Sequence, residues 1–106
     1  MTGNYSAVAP SRAEVESMPG VTLLEFGTDW CGYCQAAQPA VDEALAGYAH
    51  VRHLKVEDGK GRALGRAFKV KLWPTLIFLR DGIEVDRVVR PRSAAEVAGA
   101  FARAEA

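Results

Sequence analysis

The chain's two cysteines stand three positions apart, in the run Trp30-Cys31-Gly32-Tyr33-Cys34. Thiols at this spacing serve either as half of a metal site or as a thiol–disulfide couple. Adding His50 and His53 gives the pattern C-x2-C-x15-H-x2-H. Zinc fingers prefer about 12 residues in the middle and about 3–5 between the histidines. Positions i and i+3 at the start of a strand also point to opposite faces, so the zinc reading is set aside. Gln35 after Cys34 excludes the C-x-x-C-H haem signal, and Gly59-Lys60-Gly61-Arg62 lacks the spacing of a phosphate loop. The redox couple is left, with inert core thiols or a static disulfide as its bland alternative.

The surrounding pattern supports the couple. Val21 to Phe26 is a near-continuous apolar run interrupted by Thr22 and Glu25, as in a strand covered on both faces. After the cysteines, Ala36, Ala37, Ala40, Val41, Ala44, Leu45 and Tyr48 recur at helical spacing, so a helix is predicted from about Cys31 to Ala49, with Pro39 inside it. Both thiols then lie at a helix N-terminus, where unpaired N–H groups and the helix dipole favour negative charge. Cys31, nearer the helix start, is the expected nucleophile, and Cys34, one turn later, the resolving thiol. Glu25 falls on a strand that otherwise reads as buried. Burial would raise its pKa toward the range of a general base, the alternative being a partly exposed carboxylate near a strand end.

The remaining elements follow in order. Ser11-Arg12-Ala13-Glu14 has the capping-box form of a short helix running to about Met18, which Pro19-Gly20 ends. Val51 to Val56 alternates as a strand, and residues 60–68 form a short helix. Thr75 to Leu79 is the most apolar strand, and Asp81-Gly82 turns it into an antiparallel partner, Ile83 to Val89. Ser93-Ala94-Ala95-Glu96 is a second capping box opening the last helix. Residues 1–10 are polar and small, with Tyr5 and Val8 as apolar anchors and room for a short edge strand. The strands joined through helices are expected to be parallel, in an α/β fold whose mixed sheet of four or five strands carries helices on both faces.

Composition narrows the partners. The 106 residues make one domain, 1–106, with 49% hydrophobic and 25% charged residues. Thirteen basic and thirteen acidic side chains cancel, so nucleic acid is not an expected partner. No apolar run approaches the roughly 20 residues of a membrane span. Met1 to Pro10 lacks the basic and apolar regions of a secretory signal, so the expected location is cytoplasmic, or periplasmic if a signal has been removed. A monomer is expected.

The motifs together resemble the thioredoxin family over nearly the whole chain. Trp30-Cys31-Gly32-Tyr33-Cys34 matches its W-C-G-x-C motif, and Pro39 matches the proline of the active-site helix. Trp73-Pro74-Thr75 matches the family's cis-proline, and Phe78 to Gly82 the strand and turn that follow. The resemblance implies a thiol–disulfide oxidoreductase that reduces protein disulfides through a mixed disulfide. It would be recharged by a separate reductase of the thioredoxin-reductase type, a flavoprotein, and need no cofactor beyond its own Cys31–Cys34 disulfide. It implies that Glu25, standing where the family has a buried aspartate, deprotonates Cys34 through a water. Pro74 would be cis, with Trp30 shielding the dithiol and Trp73 and Pro74 forming the facing wall of a groove. The candidate substrate contacts are Trp30, Gly32, Tyr33, Trp73, Pro74 and Arg90.

The chain departs from the family pattern at several positions. The family's lysine partner for the aspartate is replaced by His53, read here as a polar-face histidine of an alternating strand, with pairing to Glu25 as the other reading. His50 is read as surface. Arg90 stands where many thioredoxins close the groove with glycine, either favouring acidic substrates and thiolate or simply solvated. Gly32-Tyr33 replaces the usual Gly-Pro and occurs in some periplasmic disulfide isomerases. A disulfide oxidase or isomerase in an oxidising compartment, and a thioredoxin-fold binding module without turnover, are therefore the alternatives.

Overall fold

A computed structural model describes residues 4–106. Helix α1 is Arg12–Glu16, strand β1 Val21–Gly27, α2 Gly32–Ala46, β2 Arg52–Glu57 and α3 Ala63–Ala67. Strands β3, Thr75–Arg80, and β4, Ile83–Val89, precede the closing helix α4, Ala94–Glu105. The sheet order is β2-β1-β3-β4. Of the edge strand considered for residues 1–10, the first three positions lie outside the described residues. The remainder makes one parallel bridge, with Ser6 N–H donating to Lys55 O at 2.8 Å and Glu57 N–H to Ser6 O at 2.9 Å.

One expectation about direction is corrected. Strand β1 pairs with β2 in parallel, but β3 runs antiparallel to β1 with Phe26 opposite Thr75. The chain leaves β2 at the end of the sheet where β1 also finishes, and residues 58–74, after packing α3 on one face of the sheet, bring it back to that end. Strand β3 therefore starts there and runs back. This routing puts Trp73-Pro74 beside the loop that leads from β1 to Cys31.

Successive β1 side chains alternate between the two faces of the sheet. Leu23 packs with Val41, Phe78, Val97 and Phe101 on the side of α2 and α4, while Leu24 and Phe26 pack with Val15, Leu64 and Phe68 on the side of α1 and α3. The two faces give one core layer each, as three-layer packing requires. Glu25 shares the face of Leu23, so its carboxylate points toward α2. Caps anchor the helices. Both bonds of the Ser11–Glu14 capping box form, whereas at α4 the Ser93 hydroxyl accepts from Glu96 N–H and the Glu96 carboxylate reaches back to Arg92 N–H at 2.8 Å. The second box predicted from sequence is thus half formed. No described helix is long and apolar enough to cross a membrane.

Candidate active site

Strand β1 delivers the chain through Thr28-Asp29-Trp30 to Cys31, which is the N-cap of α2. The first helical residue is Gly32, one later than predicted, because the Cys31 thiol takes the capping role that serine or aspartate usually plays. The Cys34 N–H donates to Cys31 Sγ at 3.3 Å. The cysteines are unbridged; Cys31 retains 7% exposure and Cys34 1%. A helix N-terminal N–H aimed at Cys31 Sγ stabilises charge on that sulfur, as a nucleophile needs. Cys34 is placed differently. Burial first, and then its hydrogen bond with Cys31, push its thiol up to about 11, against the opposing pull of the Thr28 N–H and the Tyr5 hydroxyl.

Glu25 lies directly beneath. It is fully buried, and three side chains from three elements reach it. The Tyr5 hydroxyl donates to Oε2 at 2.5 Å, Gln38 Nε2 donates to Oε2 at 2.9 Å, and His53 Nε2 lies 2.8 Å from Oε1. This corrects two expectations. His53 is not a free polar-face residue but a partner of Glu25, since positions 23, 25, 53 and 55 share one sheet face by register. Burial does push the Glu25 carboxyl upward and is the largest single influence. However, the hydrogen bonds from His53, Tyr5 and Gln38 and the charge of His53 together outweigh it, so the carboxyl sits below its usual range rather than above it.

The groove is walled as follows. The Trp73–Pro74 peptide bond is cis. Trp73 packs against the cluster of Tyr5, Cys31 and Cys34, and its indole N–H donates to Asp58 Oδ2 at 2.8 Å. Trp30 is 74% exposed and stands edge-on to Trp73 with ring centroids 5.7 Å apart. The indole of Trp73 packs on the thiols. Tyr33 is exposed, and the Arg90 guanidinium lies 3.6 Å from its ring centroid. Arg90 Nε also donates to Trp73 O at 2.8 Å and its backbone N–H to Pro74 O at 3.0 Å. Neither description made from sequence, solvated rim or substrate-facing charge, anticipates an arginine held across the groove. Its φ of 52° is the left-handed conformation that glycine adopts without strain. His50, read as surface, pairs with Glu105.

Three residues of this cluster escaped the sequence reading. Tyr5 was an apolar anchor there, yet its hydroxyl donates to the Glu25 carboxylate while its side chain packs with Cys34. Gln38 lies one helical turn after Cys34, on the same face, and that spacing was a usable signal. Lys55 donates through Nζ to Gln38 Oε1 at 3.1 Å and lies 4.4 Å from the Tyr5 ring centroid. Its alternation with His53 along β2 carried the same signal. Among the described residues, no group of three or more His, Cys, Asp or Glu side chains is placed to hold a metal ion.

Comparison with known proteins agrees with this arrangement. The thioredoxin family model matches residues 7–103. The structure of thioredoxin 2 from Pseudomonas aeruginosa PAO1 in its reduced form superposes with a TM-score of 0.86 and 62% identity, covering 95% of this chain and 94% of that one. The thioredoxin of Chlamydia trachomatis is 36% identical over 70 residues, 66% of this chain and 69% of that protein. The H-type thioredoxin of Fagopyrum esculentum is 31% identical over 70 residues, and the match spans 60% of its length. With its mixed sheet, its C-x-x-C pair at a helix start and a family match spanning most of its length, the chain belongs to the thioredoxin family.

Proposed function

We propose that this chain is a thiol–disulfide oxidoreductase that reduces protein disulfides. The observation that carries the reading is the unbridged Cys31–Cys34 pair at the start of α2, with one sulfur under the helix N–H groups and the other buried behind it. Cys31 thiolate attacks a substrate disulfide R–S–S–R′, forming Cys31–S–S–R and releasing R′–S⁻. Cys34 then loses its proton and attacks Cys31 Sγ. The Cys31–Cys34 bond forms as the bond to R breaks, and R–S⁻ leaves with the electron pair and is protonated. The substrate has gained two electrons and the protein holds a disulfide. A separate flavoprotein reductase of the thioredoxin-reductase type returns two electrons.

Glu25 acts as the base toward Cys34. Trp30, Gly32, Tyr33, Trp73, Pro74 and Arg90 form the substrate surface. An extended substrate strand pairing beside Pro74 must compete with Arg90 for the Trp73 carbonyl, so a substrate carboxylate that draws the guanidinium away is favoured. The protein acts as a monomer in the cytoplasm, with no cofactor other than its dithiol.

The test is insulin reduction together with the redox potential. Wild-type turnover lost in Cys31→Ser, with a mixed disulfide trapped on Cys31 in Cys34→Ser, is the expected result, and a wild type that reduces insulin no faster than Cys31→Ser would be only a binding module. A potential near about −270 mV fits the reductant, whereas one near about −120 to −180 mV assigns the protein to disulfide oxidation or isomerisation.

A further inference from the structure

We propose that Tyr5 is the proton relay between Cys34 and Glu25, a role that rests on the oxidoreductase reading above. The N-terminal arm is held in register by the Ser6 bridge to β2, and Tyr5 N–H donates to Asp29 Oδ1 at 2.9 Å. This puts the phenol inside the protein, 7% exposed, with its hydroxyl donating to Glu25 Oε2 at 2.5 Å and its side chain packed in one cluster with Cys34. Gly27 makes the room. A Cβ there would lie 2.6 Å from Cys34 Sγ and 2.8 Å from the Tyr5 oxygen, so thiol and phenol meet over the one residue of β1 that has no side chain. The phenol stands where the family resemblance calls for a bridging water.

The transfer balances as follows. As Cys34 Sγ attacks Cys31 Sγ, its proton passes to the Tyr5 oxygen while the Tyr5 proton passes to Glu25 Oε2. The Cys31–Cys34 bond forms, the bond to the substrate sulfur breaks, and that sulfur leaves as thiolate and takes a proton from solvent. Glu25 then loses its proton to solvent through the cleft lined by Gln38, Asp42 and Lys55. Burial and the Glu25 charge push the Tyr5 phenol well above its ordinary range, so tyrosinate is never a free intermediate and the two protons move together. Transfer from a thiol held up to about 11 to a carboxyl below its usual range is uphill as an isolated step. It therefore accompanies sulfur–sulfur bond formation and does not precede it. The other groups around the phenol are Lys55 over the ring, Asp29 on the backbone N–H, and His53 on the far oxygen of Glu25.

Tyr5→Phe keeps the ring and deletes the relay. The full-length reduced protein is mixed with oxidised glutathione, quenched with acid at intervals and weighed by mass spectrometry. Formation of the mixed disulfide on Cys31 should match wild type. Its resolution should slow by about 10- to 100-fold, up to the lower limit of what a positioned general base supplies, so the glutathione adduct accumulates. The deficit should shrink as the pH climbs toward about 11, where Cys34 ionises unaided. Unchanged resolution, or equal slowing of both phases at every pH, overturns the relay. If wild type never forms the adduct, the oxidoreductase reading itself fails and the relay with it. Should Tyr5→Phe not fold, fluorotyrosine at position 5 retains the hydroxyl and acidifies it. A resolution rate that shifts several-fold supports the relay, and an unshifted one overturns it.

Discussion

Replacing His53 with leucine tests the balance that keeps Glu25 ionised. The carboxylate is fully buried, with Oε1 facing His53 at 2.8 Å and Oε2 bonded by Tyr5 and Gln38. Leaving a buried acceptor short of one hydrogen-bond partner costs about 1–3 kcal/mol, and more for a charged group. Here two bonds to Oε2 remain and the carboxyl can escape by binding a proton, so about 2–3 kcal/mol is expected at pH 7. That is a sizeable share of the roughly 5–15 kcal/mol by which such a domain is stable. The pH dependence has a definite sign. In the wild type the folded carboxyl lies below its unfolded value of 4.5, so its contribution is present above that value and is lost as pH falls through the folded pKa. Without His53, burial acts against fewer opposing bonds and the folded carboxyl rises, so the variant loses stability as pH rises toward neutral. The gap between wild type and variant therefore widens from acid to neutral pH. Urea denaturation across this range measures it, and the same substitution in a Glu25→Gln background, which retains His53 without the carboxylate, isolates the pair. A gap constant with pH, or equally large in the Glu25→Gln background, would refute the reasoning.

The two thiols should differ in reactivity. With Cys34 pushed up to about 11, about one molecule in a thousand carries its thiolate at pH 8, so iodoacetamide should add one group, on Cys31, with a second appearing only in strong alkali. Peptide mapping reads this directly, and early labelling of Cys34 would contradict it. Gly27→Ala places a methyl 2.6 Å from Cys34 Sγ and 2.7 Å from Tyr5 Cζ, so a loss of about 1–3 kcal/mol is expected in denaturant melts, together with slowed resolution of the mixed disulfide. Arg90→Gly relieves the left-handed backbone and frees the Trp73 carbonyl, while the stack on Tyr33 is lost. Stability should change by less than about 1 kcal/mol as these effects oppose each other. The ratio of kcat/KM for acidic over neutral disulfide peptides should fall by about fivefold, and an unchanged ratio would remove Arg90 from substrate selection.

Much of the site was legible because its signals are local. Periodicity changes from a buried strand to a helix at Cys31, and the motifs at Trp30–Cys34 and Trp73–Thr75 are contiguous in the chain. The same locality made Asp81-Gly82 readable as a hairpin and Ser11 as a cap. What was misread depends on neighbours distant in sequence. The direction of Glu25's shift reverses because Tyr5, Gln38 and His53 converge on it from the N-terminal arm, α2 and β2. Burial of a carboxylate can be inferred from one strand, but its hydrogen bonds cannot.

The sequence alone determined the dithiol and its place at a helix start, since both follow from adjacent residue types, while the family resemblance marked Trp73-Pro74 as the facing wall. Only the tertiary structure decided that β3 runs back from the active-site end, that Arg90 caps the Trp73 carbonyl, and that Tyr5 lies between Cys34 and Glu25. Tyr5 stands 20 residues before Glu25, and no local pattern brings them together. A single bridge to the edge of β2 and the missing side chain at Gly27 do so, because a hydroxyl buried there must find polar partners and the thiol and carboxylate are the ones within reach.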